Sequence, residues 1–256
     1  VKVSFVGSGN VATQLAKACS AKGITVVDIY SKSINNANLL AELVNAKAVS
    51  NLNDLTTDID LLIIAVSDNA LLEIANKFEH FTASIVHTSG STNIDVLKSD
   101  NYDYGVIYPL QTISKSKEID FKDVPFFIEA SNPDLKLALS IFCEMLGSKN
   151  VQYADSALRM KLHIAAVFAC NFSNHMYAIA EELMRKNALD FELLKPLIAE
   201  TAQKIQSMSP KSAQTGPASR NDTLTLEKHL QALHSEKALF DLYKAISEDI
   251  AKIQNS

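Results

Sequence analysis

A β-branched run, a glycine-bracketed turn and a helix-forming stretch occupy the first 22 residues in that order, and no other feature limits the fold as tightly. Val1 to Val6 is the run. Gly7-Ser8-Gly9-Asn10-Val11-Ala12 follows, Thr13 to Lys22 has helical composition, and a second apolar run covers Ile24 to Tyr30. This is a β-α-β unit. Gly7 permits the tight turn, Gly9 lets the backbone approach a pyrophosphate on the positive helix N-terminus, and Ala12 is small enough for helix–sheet packing. In this strand-to-helix context the pattern points to dinucleotide binding.

The alternation continues. Ile34 to Asn45 is predicted helical, Ala46 to Ser50 a short strand, and Asp60 to Val66 an apolar run fit for a central parallel strand covered on both faces. Asn69 to Phe78 follows as helix and Ser84 to Thr88 as strand. Tyr104 to Tyr108, Pro125 to Ile128 and Val151 to Tyr153 are further strands, with a helix to Leu146 capped by Asn132 or Ser131. From Asp155 onward only helices are expected: one long segment from Asp155 to Lys186, then Phe191 to Met208, Leu224 to Leu233 and Glu236 to Ile253. The middle of the long segment, Leu162 to Phe172, is apolar nearly all round and reads as a buried central helix. The expected organisation is an α/β domain, 1–153, with a mostly parallel doubly wound sheet, followed by an all-helical domain, 154–256.

Composition excludes several classes. A net charge of −5 gives no electrostatic case for nucleic acid or a membrane surface. Cys19, Cys143 and Cys170 stand far apart with no Cys-x-x-Cys, so neither a disulfide frame nor a zinc site is expected, and the thiols fit a cytoplasmic protein. With the first strand beginning at residue 1, no signal peptide is expected.

The cofactor is read from the tip of the second strand. An NAD site places a carboxylate there for the ribose 2′-hydroxyl. Asp28 is at roughly the right distance from the glycines but lies inside the strand. The tip is Ser31-Lys32-Ser33, a cation and hydroxyls suited to a 2′-phosphate, so NADP is favoured over NAD. Ser31 or Ser33 is also placed to cap the next helix. The expected cofactor contacts are Gly7, Ser8, Gly9, Asn10, Val11, Ser31, Lys32, Ser33, Val66 and Ser67.

Ligands of an open parallel sheet bind outside the carboxyl ends of its strands. That rule selects Ser67-Asp68-Asn69, His87-Thr88-Ser89-Gly90-Ser91 and Tyr108-Pro109-Leu110-Gln111-Thr112. His87 is either a site residue or a strand-end histidine bonded to backbone. On the long helix, His163, Asn171 and Asn174 share a face, with His163 and Asn171 about 12 Å apart along the axis. Arg220, in the loop Gln214 to Asp222, is either a clamp for a substrate carboxylate or a partner of Asp222. The expected proton donor is His163, with His87 second; Asn171 and Arg220 orient substrate.

His87-Thr88-Ser89-Gly90-Ser91, Tyr108-Pro109-Leu110-Gln111-Thr112, Leu162 to Phe172 and Gln214-Thr215-Gly216-Pro217 resemble the signature stretches of the domain-of-unknown-function 2520 family, described as Rossmann-like NADP oxidoreductases. The family is related in architecture to pyrroline-5-carboxylate reductase, ketopantoate reductase and the β-hydroxyacid dehydrogenases. The resemblance implies a helical C-terminal domain of the 6-phosphogluconate-dehydrogenase C-terminal type. It also implies a homodimer formed through that domain and a site in the cleft between domains. The Lys-x-x-x-Asn pair of the β-hydroxyacid dehydrogenases is missing, since Lys161 is followed by Ala165 and His163 by Val167. The function expected is hydride transfer between NADP and a small carbonyl, imine or hydroxy-carboxylate. The alternative is an NADP sensor or interaction module without turnover.

Overall fold

The structure, a computed structural model, describes residues 1–255. An eight-stranded sheet has the order β3-β2-β1-β4-β5-β6-β7-β8. Its strands are β1 (Lys2–Val6), β2 (Thr25–Tyr30), β3 (Lys47–Val49), β4 (Leu61–Ile64), β5 (Ser84–His87), β6 (Tyr104–Pro109), β7 (Phe126–Ala130) and β8 (Val151–Tyr153). All neighbours run parallel except β6 and β7. The order reverses between β1 and β4, and that switch point opens a crevice at the strands' carboxyl ends.

Strand side chains alternate between two cores, as the period of two requires. Val3, Phe5, Leu61, Ile63 and Val86 face α1 (Asn10–Ala21), α2 (Ile34–Val44) and α4 (Pro133–Met145). Val6, Leu62, Ile64 and Ile85 pack on the other face with Leu71 and Ile74 of α3 (Asp68–Ile74) and with Phe78 and Phe81. Of the two caps expected for α4, Asn132 is the one used, accepting from Leu135 N at 2.8 Å, while Ser131 Oγ accepts from Tyr104 N at 3.1 Å.

A third, smaller cluster seats Leu162 of α5 (Ser156–Ala166) on Val106, Tyr108 and Phe127. The helix then widens into a π-helical turn, Val167–Phe172, before α6 (Ser173–Lys186). The last strand ends at Tyr153, next to the expected boundary, but the first compact unit runs to His175 and the second begins at Met176. The second contains α7 (Lys195–Lys204), α8 (Pro210–Ala213), α9 (Thr223–Ala232) and α10 (Lys237–Asn255).

The expectation of a buried central helix over Leu162 to Phe172 is corrected. Ile164, Phe168 and Phe172 are 50%, 64% and 48% exposed, and from Ser156 onward only Arg159 and Ala218 are buried among the described residues. An all-round apolar pattern says that a surface is to be covered, not that this chain covers it. No helix among the described residues is long and apolar enough to cross a membrane, and none of their His, Cys, Asp and Glu side chains group as a metal site.

Candidate active site

The switch-point crevice is a cleft of about 610 Å³ whose wall begins with Gly7, Ser8, Gly9, Asn10 and Val11. Gly7 holds φ at +121°, and a Cβ there would lie 2.3 Å from the Ala65 carbonyl oxygen of the neighbouring strand end. Only glycine fits. Gly9 caps α1 without a side chain, and nothing lies within 4 Å of where its Cβ would be. The first amides of a 12-residue helix thus face open space with no side-chain acceptor, the arrangement an anion needs.

Ser31, Lys32, Val66 and Ser67 complete the expected lining, and Tyr30, Asn36, Thr88 and Lys115 join it. Ser8 Oγ donates to Ser31 Oγ at 3.0 Å, joining the glycine turn to the tip of β2. Ser67 begins α3 but its hydroxyl caps nothing and stays in the cleft. Ser33 is the exception. It is not among the lining residues and caps α2, accepting from Asn36 N at 3.5 Å.

Asp28 is fully buried; its Oδ2 accepts from Ser4 Oγ at 3.3 Å and Thr56 N at 2.8 Å. It does not line the cleft, and no other carboxylate does. These residues fit NADP: a diphosphate on the helix amides and a 2′-phosphate beside Ser31 and Lys32.

A second cleft, about 470 Å³, is lined by Val11, Thr88, Tyr108 to Ile113, His163, Ala166, Ala169, Cys170 and Asn171. Val11 and Thr88 belong to both clefts, so the two spaces meet there. Tyr108 Oη and His163 Nδ1 are 3.0 Å apart, with the rings edge to face. Burial pushes the Tyr108 hydroxyl above its ordinary pKa, against the opposing charge of Arg159. Gly90 explains why a glycine stands in the loop after β5: a Cβ there would meet His163 Nδ1 at 2.7 Å and Tyr108 Cε2 at 2.9 Å. The lining spans residues on both sides of position 153, yet all of it lies in the first compact unit.

Of the expected catalytic residues, the structure brings His163 and Asn171 together in this cleft. It places His87 elsewhere. That ring is fully buried, accepts from Ser89 N at Nδ1 (3.1 Å), and lines neither cleft. Burial, then the charge of Arg159, depress its pKa to about 3, so it is neutral near pH 7. The backbone-bonded reading describes His87, and it is not positioned as a proton donor. Arg220 belongs to the second unit and is exposed. The Asp222 carboxylate, its alternative partner, instead caps α9 by accepting from Thr225 N at 3.1 Å and Thr225 Oγ1 at 2.8 Å.

Arg159 is a residue the sequence did not single out. It is 1% exposed and pairs with the buried Glu129 carboxylate of β7. Its Nε donates to Ser89 O at 3.2 Å and its Nη2 to Thr92 O at 2.5 Å. Glu129 in turn accepts from Ser156 N at 3.0 Å and Ser156 Oγ at 2.8 Å. One guanidinium therefore fixes the loop carrying Gly90 to the helix carrying His163.

A Bacteroides fragilis protein described as a "putative NADP oxidoreductase" is 42% identical, with 98% of each chain covered and a TM-score of 0.93. A family model described as a domain of unknown function (DUF2520) matches residues 124–250. The chain belongs to the DUF2520 family. A second model, described as "NADP oxidoreductase coenzyme F420-dependent", matches residues 2–88 of this DUF2520 protein, ending where the two clefts meet. A Thermotoga maritima protein is 22% identical over 99% of this chain and 100% of its own (TM-score 0.83). An imine reductase from Myxococcus stipitatus, solved with NADP+, is 12% identical over 100% and 93% (TM-score 0.65). These last two show the fold. No curated protein matches the chain.

Proposed function

We propose that this NADP-dependent oxidoreductase moves a hydride between the cofactor and a small carbonyl or imine compound, or the corresponding hydroxy-carboxylate, held in the second cleft. The observation that carries this reading is the junction at Val11 and Thr88. A dinucleotide laid from Ser31 and Lys32 across the helix amides would end there, facing the Tyr108–His163 pair. Bound NADPH supplies the hydride. His163, charged, donates the balancing proton from Nε2 to the substrate's oxygen or nitrogen and is left neutral. Its Nδ1–H then donates to Tyr108 Oη, which fixes the ring. Asn171 orients the substrate. The cleft lining contains no Asp, Glu, Lys or Arg, which favours a neutral carbonyl or imine at the reacting end.

The test is spectroscopic. Incubated with NADPH and panels of ketones, 2-oxo acids and imines, the protein is expected to oxidise cofactor at a saturable rate with at least one compound, and far faster with NADPH than with NADH. Saturable NADPH binding with no oxidation across the panels favours the sensor reading. The F420 match covers Val11 and Thr88 of the second cleft but none of Tyr108, His163 and Asn171.

We further propose that the protein is a cytoplasmic homodimer joined through its helices. Ile164, Phe168 and Phe172 on the long helix, and Leu193 and Leu197 in and next to α7, are large apolar side chains 48–67% exposed in the single chain. Large apolar side chains this exposed, on each of the two units, favour burial against a second copy. Sedimentation at micromolar concentration is expected to give twice the 28.0 kDa chain mass; a monomer there rejects the assembly.

A further inference from the structure

We infer that Lys115 is a ligand of the bridging phosphates of the dinucleotide, held in place by a strap that Gln14 ties to helix α1. The inference rests on the cofactor reading of the first cleft and adds a residue to it. Lys115 lies far along the chain from the glycine turn, in the connection between β6 and β7, yet it lines the same cleft as Gly7, Ser8, Gly9 and Asn10. The reason is Gln14. This side chain is 2% exposed, and its amide nitrogen donates to Ser114 O and to Lys117 O, both at 2.8 Å. Both bonds bracket Lys115. A buried amide with both hydrogens satisfied by one short segment fixes that segment's path.

Gln14 stands four residues after the start of α1, about 6 Å along the axis from its first residue, Asn10. The strap therefore crosses beside the helix N-terminus, where a diphosphate belongs. The charges around that point are one-sided. The first turn of α1 contains no acidic residue. Lys115 has no carboxylate partner among the described residues, whereas Lys32 sits 3.1 Å from Glu73 Oε2. Lys32 and Ser31 lie at the tip of β2, the ribose end of the cleft. The two lysines serve two phosphate positions, Lys32 the 2′-phosphate and Lys115 the bridging pair.

This division makes the test specific. NADPH and NADH share the bridging phosphates and differ in the 2′-phosphate. The chain has no Trp, so each is titrated by its own fluorescence. Lys115→Ala is expected to weaken NADPH and NADH alike, by about tenfold, the loss of one charge-assisted phosphate contact. Lys32→Ala is expected to weaken NADPH alone. Lys115→Arg retains most of the affinity, and the Lys115→Ala loss shrinks at high salt. Gln14→Leu releases the strap and reproduces the Lys115→Ala loss, with no further loss in the double variant. Lys115 is exposed, so its replacement leaves the fold intact and decides the matter even if Gln14→Leu does not fold. Unchanged affinity for both dinucleotides in Lys115→Ala overturns the inference, and so does a loss confined to NADPH. If the unaltered protein binds neither dinucleotide, the cofactor reading fails with it.

Discussion

His163→Ala is expected to lower kcat by about 10²–10⁴-fold, the contribution of a positioned general acid, on whichever compound the NADPH panel yields. Tyr108→Phe keeps the ring against His163 and removes the 3.0 Å contact; a smaller loss, about tenfold, is expected, with a displaced alkaline limb in the pH profile of kcat, because a general acid stops working when it loses its proton. A purely structural tyrosine would leave that limb where it was. Gly90→Ala reaches the same pair from behind. Its Cβ would stand 2.7 Å from His163 Nδ1 and 2.9 Å from Tyr108 Cε2. Displacing a catalytic group by about an ångström costs on the order of 10²-fold. All three variants should bind NADPH normally, because the first cleft is untouched. A kcat for His163→Ala equal to that of the unaltered protein removes His163 as donor and returns the question to the neighbouring groups of the cleft.

The second large effect is on stability. Arg159→Met strips the partner from a buried carboxylate and leaves the Ser89 and Thr92 carbonyls without a donor. Removing one member of a buried ion pair typically costs about 3–5 kcal/mol. For a unit of this size that is a fall in Tm on the order of 10 °C. Arg159→Met with Glu129→Leu should recover much of the loss, because both charges then leave the interior together. Denaturant unfolding of the single and double variants measures both numbers. A single-variant cost below about 1 kcal/mol, the value of an exposed pair, would show that Arg159 is not the tie between the Gly90 loop and α5. Because the pair fixes that loop to the helix bearing His163, the single variant should also lose kcat while unfolding remains cooperative.

How far the site was legible follows from sequence distance. The glycine turn, the strand ends, Ser31, Lys32 and Ser67 were identifiable because each is set by a neighbour a few residues away or by the rule that parallel strands present their carboxyl ends to ligand. His163 and Asn171 stood out as polar groups in an apolar stretch. Tyr108 was visible only as a residue after a strand; its importance comes from a partner 55 positions away. Arg159 meets Ser89 across 70 positions, and Gln14 meets Ser114 across 100. No periodicity or local spacing encodes such pairs. His87 misled for the complementary reason: a histidine at a strand end looks the same in sequence whether it faces a cleft or the core.

The sequence by itself determined the β-α-β start, the parallel sheet with its helical continuation and the preference for a 2′-phosphate, because local sterics, side-chain period and turn chemistry act over a few residues. The tertiary structure alone decided which polar groups meet. It buried His87 and Asp28, paired His163 with Tyr108 over Gly90, and carried Lys115 to the glycine turn. Each of those outcomes depends on chain segments brought together only when the sheet closes its two cores, and the free energy that closes them comes from apolar burial that does not specify, residue by residue, which polar group ends beside which.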